Sequence, residues 1–245
     1  MRIVLLLAAS AGIIAAVFAY QSQVEGRLLR ADPNAIPSNA SLMAFAHGRG
    51  AAWYDAACAN CHGTNGKGDP MRGIPDLTDG DWLYGTGSVS DIEQVIKYGI
   101  RSYHPKAWNL ASMPAYARSR PSARDPKIPS LSPANIRDVV EFLLYQQGQN
   151  SAPTSAAVDT ASAGRGAAIY SDVGGCYDCH AADAKGDAAI GAPNLTDRVT
   201  LYGDGGRESL AVSIEYGRAG VCPAWDMRIG AAAIRELALY VHTWQ

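Results

Sequence analysis

The sequence predicts an all-α protein built from two tandem copies of one helical domain. Three observations carry that prediction: an internal repeat of constant spacing, apolar periodicity of helical type at matching places in both copies, and a composition poor in aromatics but rich in glycine and proline. Aromatics make up 8% of the 245 residues, beside 25 Gly and 13 Pro, which suits helices joined by long irregular connections better than an extensive sheet. With 18% charged residues and a formal charge of −2, the chain is neither a basic nucleic-acid binder nor an acidic disordered tail. Domains of roughly 100–200 residues are typical, so each half is just large enough to bury a core.

The first element is apolar. After Arg2, no charge occurs from Ile3 to Tyr20, so residues 1–20 read as a signal-anchor or a signal peptide. Arg2 and the free amine favour the cytoplasmic side, which places everything beyond Gln21 across the membrane. Cleavage after Ala19 is acceptable, but the run is long for a signal-peptide core, which favours an uncleaved anchor. Residues 21–41 then read as a polar spacer.

The repeat organises the rest. Gly48-Arg49-Gly50-Ala51-Ala52-Trp53-Tyr54 returns as Gly164-Arg165-Gly166-Ala167-Ala168-Ile169-Tyr170. Cys58-Ala59-Asn60-Cys61-His62 matches Cys176-Tyr177-Asp178-Cys179-His180, and Pro75-Asp76-Leu77-Thr78-Asp79 matches Pro193-Asn194-Leu195-Thr196-Asp197. From the first Cys to Tyr98-Gly99 and Tyr216-Gly217, every pair is 118 positions apart, so the intervening loop lengths are preserved too. The domains expected are 42–148 and 163–245, joined by a Ser-, Ala- and Thr-rich linker over 149–162. Within the first, Ser90-Asp91-Ile92-Glu93 has the form of a capping box, with Ile92, Val95 and Ile96 on one face before Gly99. Ser132-Pro133 starts a last helix with Ile136, Val139, Val140, Leu143 and Leu144 inside; its counterpart carries Ile234, Leu237 and Val241.

Cys-x-x-Cys-His occurs twice, at Cys58, Cys61, His62 and at Cys176, Cys179, His180. On one helical turn, two thiols three residues apart can form thioethers with both vinyl groups of a haem, and the adjacent imidazole is then delivered to the iron. A zinc site would need a second ligand pair per domain, and a redox dithiol would sit in a βαβ pattern; neither is offered here. Two covalently bound haem c groups are therefore expected, each supplying apolar core to a small domain. The sixth ligand in the first domain is expected to be Met113, ahead of Pro114-Ala115-Tyr116, with His104 as its rival. In the second domain that place holds Cys222, ahead of Pro223-Ala224-Trp225; its rivals are Met227 and an open site. A Cys222 thiolate would stabilise ferric iron and make the second haem the lower-potential centre, so that electrons would run downhill to the first. His62 to Met113 is 51 positions and His180 to Cys222 is 42, which locates nine extra residues around Ser102 to Leu110, either a docking loop or a surface insertion.

With these motifs the chain resembles a class I dihaem cytochrome c, and most closely the dihaem subunit III of cbb3-type cytochrome c oxidases. The resemblance covers roughly residues 45–245 and includes Trp82-Leu83-Tyr84-Gly85 and Tyr216-Gly217-Arg218-Ala219-Gly220-Val221 leading into Cys222. It implies two tandem cytochrome c domains, and electrons passed from a periplasmic donor to a membrane-bound oxidase on the periplasmic side of the bacterial inner membrane. It also implies His/Met ligation, carrying over His62 and Met113 but only His180 in the second domain, where the family's Met is Cys222. The N-terminal region is shorter than the membrane region the resemblance implies. The chain is therefore read as an electron carrier or non-catalytic oxidase subunit. The rival is an enzyme: dihaem cytochromes resembling thiosulfate dehydrogenases place a His/Cys haem at the catalytic centre.

Overall fold

The computed structural model describes residues 2–118, 129–150 and 157–244, with side chains from Gly12 onward except at Asn150. Nine helices appear among them: α1 (Arg2–Arg30), α2 (Ala40–Ala57), α3 (Ala59–His62), α4 (Val89–Tyr98), α5 (Pro133–Asn150), α6 (Thr160–Ser171), α7 (Tyr177–His180), α8 (Arg207–Tyr216) and α9 (Ala231–His242). Among the described residues, strand pairing is limited to isolated bridges, in keeping with the all-α expectation.

Local signals start and stop these helices. The Asn39 side chain accepts from Leu42 N to open α2, and Asp159 accepts from Ala161 N and Ser162 N to open α6. The cap of α4 is Ser88, which accepts from Asp91 N, not the expected Ser90. Ser90 instead exchanges two 3.0 Å hydrogen bonds with the Asn34 side chain, and Glu93 turns inward to Arg235. The expected spacer is also structured. Helix α1 runs on to Arg30, and Val24 and Leu28, one helical turn apart, enter the first core. Arg235 Nη1 donates to the carbonyls of Leu28 and Ala31, closing the end of α1. Among the described residues no helix is long and apolar enough to cross a membrane, although Ile13, Ile14, Val17 and Phe18 lie exposed on α1. The first part of the predicted 1–20 segment lies outside the described side chains.

The packing pairs helices across the two repeats. Helix α2 of the first repeat packs on α9, the last helix of the second, and α6 of the second repeat packs on α5, the last helix of the first. The first core accordingly joins Leu42, Ala46 and Tyr54 to Leu237, Leu239 and Val241; the second joins Val139, Phe142 and Leu143 to Tyr170 and Ile214. Both crossings use one device. A Cβ at Gly50 would stand 2.3 Å from the Glu236 carbonyl oxygen, and one at Gly166 would stand 2.0 Å from that of Asp138, so only glycine permits either approach. Beside each glycine an arginine clamps the same partner helix: Arg49 Nε to Glu236 at 2.6 Å, and Arg165 to both Asp138 oxygens at 2.8 and 2.7 Å. Because the two interfaces are chemically alike, the repeat pattern could not specify which last helix each first helix takes. Among the described residues, the second packed unit thus draws on 111–118, 129–150 and 157–220, between the two parts of the first. The linker expected at 149–162 falls partly outside the described residues.

Two outcomes follow from this packing. A fragment of residues 111–220 is expected to melt cooperatively and retain haem, whereas fragment 163–245, lacking α5, is expected to do neither, as haem content and circular dichroism would show; the reverse pattern would contradict the exchange. The Arg165 hydrogen bonds, and more weakly Ser162, hold the Asp138 carboxyl below its usual range. The stability this contributes is present above the unfolded value of about 3.9 and is lost as pH falls through the lower folded value. Asp138→Asn should therefore lower the melting temperature at neutral pH and flatten its decline on acidification, as thermal melts across that range would read.

Candidate haem sites

Each Cys-x-x-Cys-His segment is a single turn. Cys61 N and His62 N both donate to the Cys58 carbonyl, at 3.0 and 2.9 Å, and Cys179 N and His180 N to that of Cys176, at 3.3 and 2.9 Å. The turn places both sulfurs and the imidazole of each segment on the wall of one cavity. The chain beyond each histidine is tied back by a buried tyrosine: Tyr54 Oη donates to Gly63 O at 2.6 Å, and Tyr170 Oη to Ala181 O at 2.7 Å.

The Pro-x-Leu-Thr segments orient the histidines. His62 Nδ1 lies 3.1 Å from Pro75 O, and His180 Nδ1 lies 3.0 Å from Pro193 O. A carbonyl only accepts, so Nδ1 carries the proton and each Nε2 is left with a free lone pair, as a metal ligand requires. The next residue steadies each carbonyl: Asp76 Oδ1 accepts from Thr78 N and Oγ1, and Asn194 Oδ1 from Thr196 N and Oγ1. Burial lowers both imidazoles below their ordinary pKa, partly opposed by these carbonyls, and so favours the neutral form.

The cavities are large and chiefly apolar. The first, about 270 Å³, contains Cys58, Cys61 and His62 and is walled by Leu77, Trp82, Ile92, Ile96 and Val241. The second, about 300 Å³, contains Cys176, Cys179 and His180 and is walled by Val139, Leu143, Leu195, Leu210 and Ile214. Paired thiols, a correctly oriented imidazole and an apolar slot together fit a covalently attached haem c.

The sulfur residues expected as sixth ligands are crossed between these cavities. Met113 lines the cavity of His180, and Cys222 lines the cavity of His62, so the structure contradicts the pairings His62 with Met113 and His180 with Cys222. Cys222 stands close enough to Cys58 and Cys61 for thiolate repulsion to act between them; burial, then Cys61, pushes its thiol up to about 11. Neither Met227 nor His104 is placed to act as a ligand. Met227 is 89% exposed and lines neither cavity, and His104 stacks on Tyr98 with Nε2 3.1 Å from Asp226.

The crossing itself is built from two short bridges. Ile100 and Cys222 exchange N–H···O bonds of 2.9 and 3.0 Å, and Met113 and Arg218 exchange bonds of 2.9 and 3.2 Å. Ile100 and Arg218 are 118 positions apart, so the bridges are related by the repeat. The nine extra residues around 102–110 lie in this crossover, where Trp108 N bonds Gly99 O and its ring meets Tyr84. Leu83, Arg101, Leu201, Tyr202 and Gly220 line both cavities, so the two sites share a wall. Tyrosines interlock across it: a Cβ at Gly191 would meet the Tyr84 ring at 2.1 Å, and one at Gly73 the Tyr202 ring at 2.0 Å. Sequence reasoning missed Arg101, whose position in the second repeat holds Ala219.

The family patterns match the two repeats as successive segments of the chain. The cytochrome c family pattern matches residues 48–147, and that of cytochrome c oxidase, cbb3-type, subunit III matches 161–241. The chain is 38% identical over 228 residues to a cbb3-type cytochrome c oxidase subunit CcoP of Rhodobacter capsulatus, covering 90% of this chain and 69% of that protein. It is 37% identical over 208 residues to subunit FixP of a Bradyrhizobium species, covering 85% and 64%. Against CcoP of Cereibacter sphaeroides it is 34% identical over 219 residues, covering 89% and 68%. With two cytochrome c repeats and this similarity over most of its length, the chain belongs to the CcoP/FixP family of cbb3-type cytochrome c oxidase subunits.

Proposed function

We propose that the chain is a dihaem electron relay of a cbb3-type terminal oxidase, taking electrons from a periplasmic donor on the periplasmic side of the inner membrane, with its N-terminal helix as anchor. The observation that carries this reading is the wall common to the two cavities, which sets two redox sites side by side in one body. Cys58 and Cys61 would hold one haem together with His62 and Cys222, and Cys176 and Cys179 would hold the other together with His180 and Met113. When bound, each haem supplies one-electron exchange between ferric and ferrous iron. The protein's part is to exclude water, fix the imidazoles and set the potentials.

The crossing reverses the expected order of potentials. Deprotonated on binding iron, a Cys222 thiolate would add negative charge at the first site and favour the ferric state there, while the Met113 thioether would favour the ferrous state at the second. The lower potential therefore belongs to the haem on Cys58 and Cys61, not to the one on Cys176 and Cys179. Cys222 beside His62 also supports a second reading, a thiosulfate-dehydrogenase-like sulfur oxidoreductase with the first site catalytic.

One set of measurements separates them. Cys222→Met should raise the lower of the two potentials by an appreciable part of the ~0.8 V that axial ligands span, leave the other in place, and preserve oxygen reduction by the complex recovered from solubilised membranes with the tagged chain. Thiosulfate-dependent ferricyanide reduction that vanishes in Cys222→Met, with no oxidase co-isolated, would replace the relay by the enzyme.

A further inference from the structure

Arg101 stands where the two sites meet. It is the charged side chain among the residues lining both cavities. Its Nε donates to Gly220 O and its Nη1 to Ala111 O, each at 2.7 Å. Those carbonyls have matching positions: Ala111 lies two residues before Met113, and Gly220 lies two residues before Cys222. One guanidinium therefore grips both ligand-bearing strands at the same point. Its backbone is committed to the task, with φ of 48° in the left-handed region that a non-glycine residue rarely adopts, and its N–H donates to Trp108 O at 2.8 Å. Ala219 occupies the repeat-related position, so a single arginine does for both sites what the symmetry would otherwise assign to two.

We propose that Arg101 is a positioning residue shared by the two haem sites: its planar fork fixes the strands that present Cys222 and Met113, and its charge in the common wall raises both potentials together. The planarity matters because two acceptors on different strands are met by two N–H groups of fixed relative direction, which an ammonium cannot reproduce. The charge matters because a cation in the wall common to both cavities would disfavour the ferric state at each. This inference rests on the crossed arrangement in the proposed function.

The test is a spectroelectrochemical titration of the full chain carrying both haems, comparing wild type with Arg101→Gln and Arg101→Lys. The glutamine variant should lower both midpoint potentials and weaken the thioether-to-iron charge-transfer band of the Met113 site. The lysine variant should lower both potentials less than the glutamine variant does while the band weakens as much, because charge is retained but the fork is lost. Two haems per chain are expected in both; loss of haem from the lysine variant would make Arg101 merely structural and overturn the proposal. Movement of one potential alone, or of neither, would overturn it as well. Cys222→Met in chains holding a single haem keeps the premise separate: if that substitution moved the haem on His180, the crossed arrangement would fail independently of Arg101.

Discussion

The antiparallel pairing of the segments that carry Met113 and Cys222 is the constraint on which the rest of the molecule depends. Ile100 with Cys222 and Arg218 with Met113 form two bridges about a pseudo-two-fold axis, and each carries the chain from one packed unit into the other. Once the strands cross, α5 packs chiefly on α6 and α9 chiefly on α2. Neither unit is complete without chain from the other repeat, and the cavities are brought to a shared wall. Stability and the proposed electron transfer thus draw on the same contact.

On this symmetric frame the differences fall near the crossover, where the proposed sixth ligands lie. The histidine turns, their proline carbonyls and the tying tyrosines are nearly identical in the two units. By contrast Met113 faces Cys222 across the repeat, and Arg101 faces Ala219. A duplicated scaffold can keep its architecture while its two sites diverge, because the residues proposed to tune them lie on the crossing strands while the cores hold the helices.

What could be read from the sequence was what is local. The Cys-x-x-Cys-His turns, the Pro-x-Leu-Thr segments and the apolar faces of α4, α5 and α9 depend on neighbours a few residues away, and the structure forms them as helices and turns at those places. Closure was not legible. Gly50 with Arg49 and Gly166 with Arg165 present interchangeable surfaces, so nothing in the repeat distinguishes the crossed partner from the contiguous one. The segment 21–41 read as spacer because its apolar residues are few, yet Val24 and Leu28 suffice once Arg235 closes the helix end. Arg101 was invisible for a similar reason: its role lies in hydrogen bonds to carbonyls 10 and 119 residues away.

The most direct test of the crossing is to ask which haem carries the thioether. Two chains would each keep one haem, the first with Cys176 and Cys179 replaced by alanine and the second with Cys58 and Cys61 replaced, and the thioether-to-iron band would be recorded in both ferric proteins. The crossed structure predicts the band in the second chain, held by His180 and Met113, and its loss there on Met113→Ala. A band found instead in the chain that keeps Cys58, Cys61 and His62 would contradict the account and restore the contiguous pairing.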